Sequence, residues 1–110
     1  EVRHRDGGIV GEATRDFIGQ FRMDFGIIGI SGIHGDGSLL DYDYREVKVA
    51  QAIMEHSNKV LLAADQSKFG RSAMVQLGNI SQADHFFTDA PPPETMQEHM
   101  MSHDVTLHVV

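Results

Sequence analysis

MDFGIIGISGIHGDG, residues 23–37, is the stretch that decides the fold. Phe25 to Ile30 form an almost wholly apolar run that stops in Ser31, Gly32, Gly35 and Gly37. A continuous apolar run bounded by glycines is the pattern of a strand buried on both faces of a parallel sheet. Open parallel sheets bind ligands at the loops beyond the carboxyl ends of their strands. If the chain binds a small molecule, it is expected to do so near Gly29 to Gly37.

Moving outward, Asp43 is followed three residues later by Glu46, a capping-box spacing that opens a helix. Val47, Ala50, Ile53 and Met54 supply its apolar face as far as His56, and Asn58 and Lys59 are read as its terminators. Val60 to Ala64 is a second apolar strand. A strand, a helix and a strand joined in this way predict a parallel crossover, which is right-handed in nearly all cases. Upstream, Asp6-Gly7-Gly8 reads as a turn into a short strand, Ile9-Val10. Glu12 to Phe21 then carries Ala13, Phe17, Ile18 and Phe21 on one helical stripe, although Gly19 weakens that helix by about 1 kcal/mol relative to alanine.

Downstream, Met74 to Leu77 is expected to be a short strand, residues 81–84 a helical turn and His85 to Thr88 a third apolar strand. The prolines 91–93 precede a helix from Glu94 to His103, and Val105 to Val110 closes the chain as a strand. Strands alternate with helices throughout, so the fold class is α/β, a parallel-type sheet with flanking helices. No internal repeat interrupts it.

The bulk properties bound the function. A chain of 110 residues is one domain. Its net charge of −7 argues against this stretch gripping a phosphate backbone itself, which requires clustered Lys and Arg. The absence of cysteine fits a cytoplasmic protein without disulfides. No apolar run reaches the roughly 18 residues of a membrane span, and no signal peptide is visible. The chain starts at Glu1 within charged sequence, so it is expected to be part of a longer protein.

Few residues could carry chemistry. Asp65-x-Ser67-Lys68-x-Gly70 follows the second strand, where Lys68 would offer a compact positive charge to a phosphate or a sugar hydroxyl. A solvated loop lysine is the competing reading. Glu46 could face the same mouth, and its role in the capping box explains it equally. Gly29, Ser31 and Gly32 could present donors to an anion, or form an ordinary tight turn. Neither GxGxxG nor GxxxxGK[ST] is present, so neither standard nucleotide-phosphate loop is supported. His99 and His103 lie four apart without a third ligand nearby in sequence, and no metal is expected. Asn79-Ile80-Ser81 matches a glycosylation sequon, irrelevant in a cytoplasmic protein.

RDGGIVGEAT, DFGIIGISGIHGDGSLLDYDYREVK, AADQSKFGR and TDAPPP occur in that order along the chain. Together they resemble the sensor domain of DeoR-family bacterial repressors, and the DxSKFGR segment is the most specific part. The resemblance implies an N-terminal winged helix-turn-helix that is absent here, together with a missing beginning of the sensor domain. Residues 1–110 would then be an effector-binding and oligomerisation domain truncated at its N-terminus. DNA would be contacted only through the absent domain. These sensor domains are also similar in fold to ribose-5-phosphate isomerase. The isomerase pattern DxSK falls on Asp65 to Lys68, and its REK glutamate on Glu46. Both aspartates of its DGADE turn are replaced, by Ile28 and Ser31. An isomerase needs a carboxylate near the substrate carbon to move a proton, so sensing is expected rather than turnover.

The resemblance thus implies a cytoplasmic homo-oligomer whose effector is a phosphorylated small metabolite, glycerol 3-phosphate being the expected one. Gly29, Ser31 and Gly32 would supply donors, Lys68 charge and Glu46 a hydroxyl acceptor. No cofactor is expected. The alternatives are a sugar-phosphate isomerase-like enzyme with Glu46 as base, or a pure oligomerisation module. In the latter, an exposed Met-rich helix at 94–103 and the strand at 105–110 would form the interface.

Overall fold

The computed structural model describes residues 12–110, and the turn and strand expected before them lie outside it. The first helix, α1, runs from Glu12 to Ile18 and ends at Gly19, whose N–H bonds to Arg15 O at 3.0 Å. It is three residues shorter than its apolar stripe. Phe17 and Phe21 remain 60% and 50% exposed, tilted against each other with ring centroids 5.0 Å apart. The chain then enters β1 (Met23–Gly29), and α2 (Tyr44–Glu55) carries it back to β4 (Ser57–Ala63). At the start of α2 the Asp43 carboxylate accepts from the Arg45 N–H at 2.8 Å, capping one of the orphan donors of the first turn. Hydrogen bonding to that N–H holds the carboxyl below its usual range.

Strands β1, β4, β6 (His85–Thr88) and β7 (Thr106–Val109) form a sheet in that order, and every pair is parallel. Helix α3 (Glu94–Ser102) connects β6 to β7. Its face departs from the sequence reading. Met96 and Met100 are 3% and 1% exposed and belong to the core, and only Met101 projects outward. The helix is thus packed through its methionines rather than presenting them. Around them lie Ile28, Val60, Leu62, Phe86 and Val105 from the sheet side and Val47 from α2.

A second, smaller sheet has no counterpart in the sequence reading. The glycine-rich stretch after β1 is a hairpin of β2 (Gly32–Ile33) and β3 (Ser38–Asp41), and β5 (Val75–Asn79) pairs antiparallel with β3. The turn closes at Gly37, whose φ of +92° is a conformation that glycine adopts without a Cβ penalty. A Cβ there would also press on Asn79 Oδ1 and His99 Nε2, about 3 Å away. Ile33 and Leu39 plug this arm into the main core at 0% and 1% exposure.

The central strand also differs from its pattern. Gly26, Ile28 and Ile30 are buried, whereas Phe25 and Ile27 are 62% and 68% exposed. Among the described residues β1 is an edge strand with one covered face, not a strand buried on both. No helix of these residues is long and apolar enough to cross a membrane.

Candidate functional site

The connections of the parallel sheet place the loops after β1, β4 and β6 at one end. Gly29 ends β1 opposite Ala63 of β4, so the sequences that follow, 30–33 and 64–71, start side by side. They stay together. The Gly70 N–H bonds to Ile33 O at 2.8 Å, and Ile33 forms a parallel bridge with Phe69. Gly32 lies against the Arg71 backbone so closely that a Cβ would collide with the Arg71 carbonyl. Glycine at 32 is therefore required by close backbone approach, which is a structural role beside any role in binding.

Lys68 is held by a single turn of 3-10 helix, Gln66–Lys68. Asp65 caps that turn. Its carboxylate accepts from the Ser67 hydroxyl and, at 2.9 Å, from the Ser67 N–H. These bonds hold the Asp65 carboxyl below its usual range, with smaller help from the positive charges of Lys68 and Arg71. The next strand fixes the turn as well, because Asp89 at the end of β6 accepts from the Gln66 N–H at 2.8 Å. Lys68 is half-buried and Arg71 exposed. Two cations thus stand at the carboxyl end of β4, of which the sequence reading singles out only Lys68.

Ser31 donates to Asp41 Oδ1 at 2.9 Å, tying the end of β1 to the end of β3 just ahead of α2. Since α2 runs back along the sheet, its first turn with the exposed Glu46 carboxylate lies at this same end. Beside it opens a cleft of about 230 Å³, with Ile33, Phe69 and Met96 as its apolar surface and His34, Gly35, Gly70, Pro93 and Thr95 around them. Of the residues expected to bind, Gly29, Ser31, Gly32 and Lys68 are brought together. Glu46 shares their end of the sheet, and none of the five lines the cleft. Thr88, at the carboxyl end of β6, is 3% exposed, and its hydroxyl has no hydrogen-bond partner among the described residues. A threonine closing a short apolar strand gives no sign of this in sequence.

His99 and His103 have local roles. His99 Nε2 meets Asn79 Oδ1 at 3.1 Å, and His103 Nδ1 lies 2.9 Å from the His99 carbonyl. The described residues contain no group of three potential metal ligands.

The family model for the DeoR C terminal sensor domain matches residues 1–90. The chain belongs to that family. The match covers the loops after β1 and β4 and stops before α3, short of Pro93, Thr95 and Met96 of the cleft. The DeoR sensor domain is also 57% identical over 109 residues to the glycerol-3-phosphate regulon repressor of Escherichia coli, covering 99% of this chain and 43% of that one. The Haemophilus influenzae protein of the same name is 61% identical over 87 residues, 79% of this chain and 34% of its own. A third relative, the HTH-type transcriptional repressor CsqR of Escherichia coli, is 31% identical over 106 residues, or 96% of this chain and 41% of that one. The DeoR sensor domain here therefore spans less than half the length of these relatives.

Proposed function

We propose that this chain is the effector-sensing part of a bacterial transcriptional repressor and that it binds a phosphorylated small metabolite, glycerol 3-phosphate first among candidates. The observation that carries this reading is the Asp65-capped turn. It holds Lys68, with Arg71 close by, at the carboxyl end of β4 and against the end of β1. A fixed ammonium and a guanidinium suit a phosphate dianion. Gly29, Ser31 and Gly32 border the same spot, and Glu46 would accept from a hydroxyl of the ligand. The relatives' names supply the metabolite, since two of them are glycerol-3-phosphate regulon repressors.

In this reading the DNA-binding part precedes the 110 residues, and the assembled repressor is a homo-oligomer. The effector would bind two arrangements of its subunits with different affinity, which is what coupling to DNA requires. The isomerase reading is not favoured, because Ile28, standing where the isomerase pattern has an aspartate, is a core residue at 5% exposure.

The test is calorimetric titration of the full-length repressor with glycerol 3-phosphate and with glycerol. Binding of the ester alone, weakened at least tenfold in Lys68→Ala, is expected. Equal affinity in Lys68→Ala would remove that residue from the site. Turnover of ribose 5-phosphate, lost in Glu46→Gln, would reverse the assignment to an enzyme.

A further inference from the structure

Ser31 and Asp41 join the ends of β1 and β3, and the direction of the bond between them is fixed. The Ser31 hydroxyl lies 2.9 Å from Asp41 Oδ1, and a carboxylate only accepts, so Ser31 donates. The Ser31 N–H is committed as well, to Leu40 O at 3.0 Å. Both donors of Ser31 are therefore used inside the protein. What its side chain has left to offer is the lone pairs of Oγ. Asp41 Oδ1 also accepts from the Tyr42 N–H at 2.7 Å, while Oδ2 accepts from none of the described residues. Both residues are half-buried, so these acceptors remain accessible beyond the carboxyl end of β1. The cations stand next to them. Gly32 lies on the Arg71 backbone, and the Tyr42 hydroxyl donates to the Ser72 carbonyl at 3.2 Å. Ser31 and Asp41 are thus each one residue from a contact with the segment that follows Lys68.

We propose that Ser31 and Asp41 form an acceptor pole that recognises a hydroxyl group of the effector, beside the cationic pole of Lys68 and Arg71. The inference rests on the reading of those two cations as the phosphate-binding pair. It narrows the ligand class to phosphate esters that carry at least one free hydroxyl. Ser31 keeps its place at the site and takes the part of an acceptor, because its own proton is held by Asp41. Asp41, which no local sequence pattern marks, is a positioning residue for that hydroxyl, and its Oδ2 is a second acceptor. Electrostatics argues against the opposite polarity. A phosphate placed on Ser31 would have to displace the bond to Asp41 and stand beside a like charge, whereas Lys68 and Arg71 attract it. A site built to bond a hydroxyl rejects the analogue that lacks it, since its acceptors lose water and gain no donor. Phosphorylated acids are disfavoured too, because a second carboxylate would be repelled by Asp41.

The test is calorimetric titration of the full-length repressor with glycerol 3-phosphate and with propyl phosphate, each taken to saturation. The two esters share the phosphate and the carbon chain and differ in the hydroxyls. The parent protein is expected to bind glycerol 3-phosphate about tenfold more tightly or better. Ser31→Ala and Asp41→Ala should each remove that preference by weakening glycerol 3-phosphate about tenfold while leaving propyl phosphate within about twofold. Ser31→Thr, which keeps a hydroxyl, should retain the parent preference. Lys68→Ala should weaken both esters by the same factor. A parent-like preference in Ser31→Ala would overturn the proposal, as would equal affinity of the parent for both esters. Equal weakening of both esters in Ser31→Ala or Asp41→Ala would overturn it too, by giving the pair a merely structural role. Failure of the phosphate reading looks different: the parent then binds neither ester, or Lys68→Ala changes neither affinity, and this inference falls with it. Should Asp41→Ala not fold, the Ser31→Ala result decides alone, since that change deletes only one oxygen atom from a half-buried side chain.

Discussion

Ile27 and Ile28 are adjacent in the same strand, and truncating each to alanine separates the two faces of the sheet. Both substitutions remove the same three carbons and the same β-propensity, so those contributions cancel in the comparison. The transfer of three methylene-sized groups is worth about 2.4 kcal/mol when the site is fully buried. Ile28 is 5% exposed and faces α2 and the core, so Ile28→Ala forfeits nearly all of that and leaves a cavity besides, about 3–4 kcal/mol in total. Ile27 is 68% exposed, so Ile27→Ala in this 110-residue chain forfeits only about a third, near 0.8 kcal/mol. The assay is equilibrium urea unfolding followed by far-UV circular dichroism. With a slope of about 1–3 kcal/mol/M for a small domain, the two midpoints should differ by roughly 1–2 M. Coincident midpoints would refute the assignment of opposite faces and restore the sequence-based reading of a strand buried on both sides.

Two other outcomes follow from single groups. Thr88→Val removes a buried hydroxyl that has no partner among the described residues while keeping the shape of the side chain, and an unsatisfied buried polar group costs about 1–3 kcal/mol. The substitution is expected to raise the urea midpoint, and a lowered midpoint would mean that the hydroxyl is in fact bonded. Asp65, held below its usual range by Ser67, has a lower carboxyl pKa folded than unfolded. Its contribution is therefore present above the unfolded value, about 3.9, and is lost as pH falls through the lowered folded value. The stability difference between the parent chain and Asp65→Asn should stay constant above about pH 5 and shrink as the pH falls below about 4. A difference constant down to about pH 2 would remove Asp65 from the acid limb.

How much of this was legible in sequence depended on whether the signal was local. The Asp43 cap, the apolar face of α2 and the strands β4 and β6 were each announced by neighbours within a few residues, and each formed where expected, within three residues at the ends. That Gly29, Ser31, Gly32 and Lys68 share one end of the sheet follows from the parallel pairing of β1 with β4. The short strand expected at Met74 to Leu77 forms as β5, but the β2–β3 hairpin and its pairing with β5 were not legible. Ser38-Leu39-Leu40-Asp41 is too short for a pattern, and its pairing with Val75–Asn79 spans more than thirty residues. Asn79 shows a signal that was available and went unused. Asn-x-x-Gln is a capping box, and Asn79 with Gln82 forms one around Ile80–Gln82, although the same letters read more readily as a sequon.

The remaining disagreement, over β1, is of another kind. Phe25, Ile27 and the residues around them have the composition of a strand buried on both faces, and in the described chain one of those faces is bare. Local error does not explain this, because the strand forms where expected and its register with β4 is continuous from Phe25 to Gly29. Exposed polar positions would have been the natural choice for an edge strand facing water, as charges blunt edges against pairing. On the bare face the apolar side chains at 25, 27, 61 and 87 stand beside Lys59, His85 and Thr106. The apolar run of β1 therefore records the composition of the strand and not which of its faces is covered, and the Ile27→Ala and Ile28→Ala midpoints separate the two.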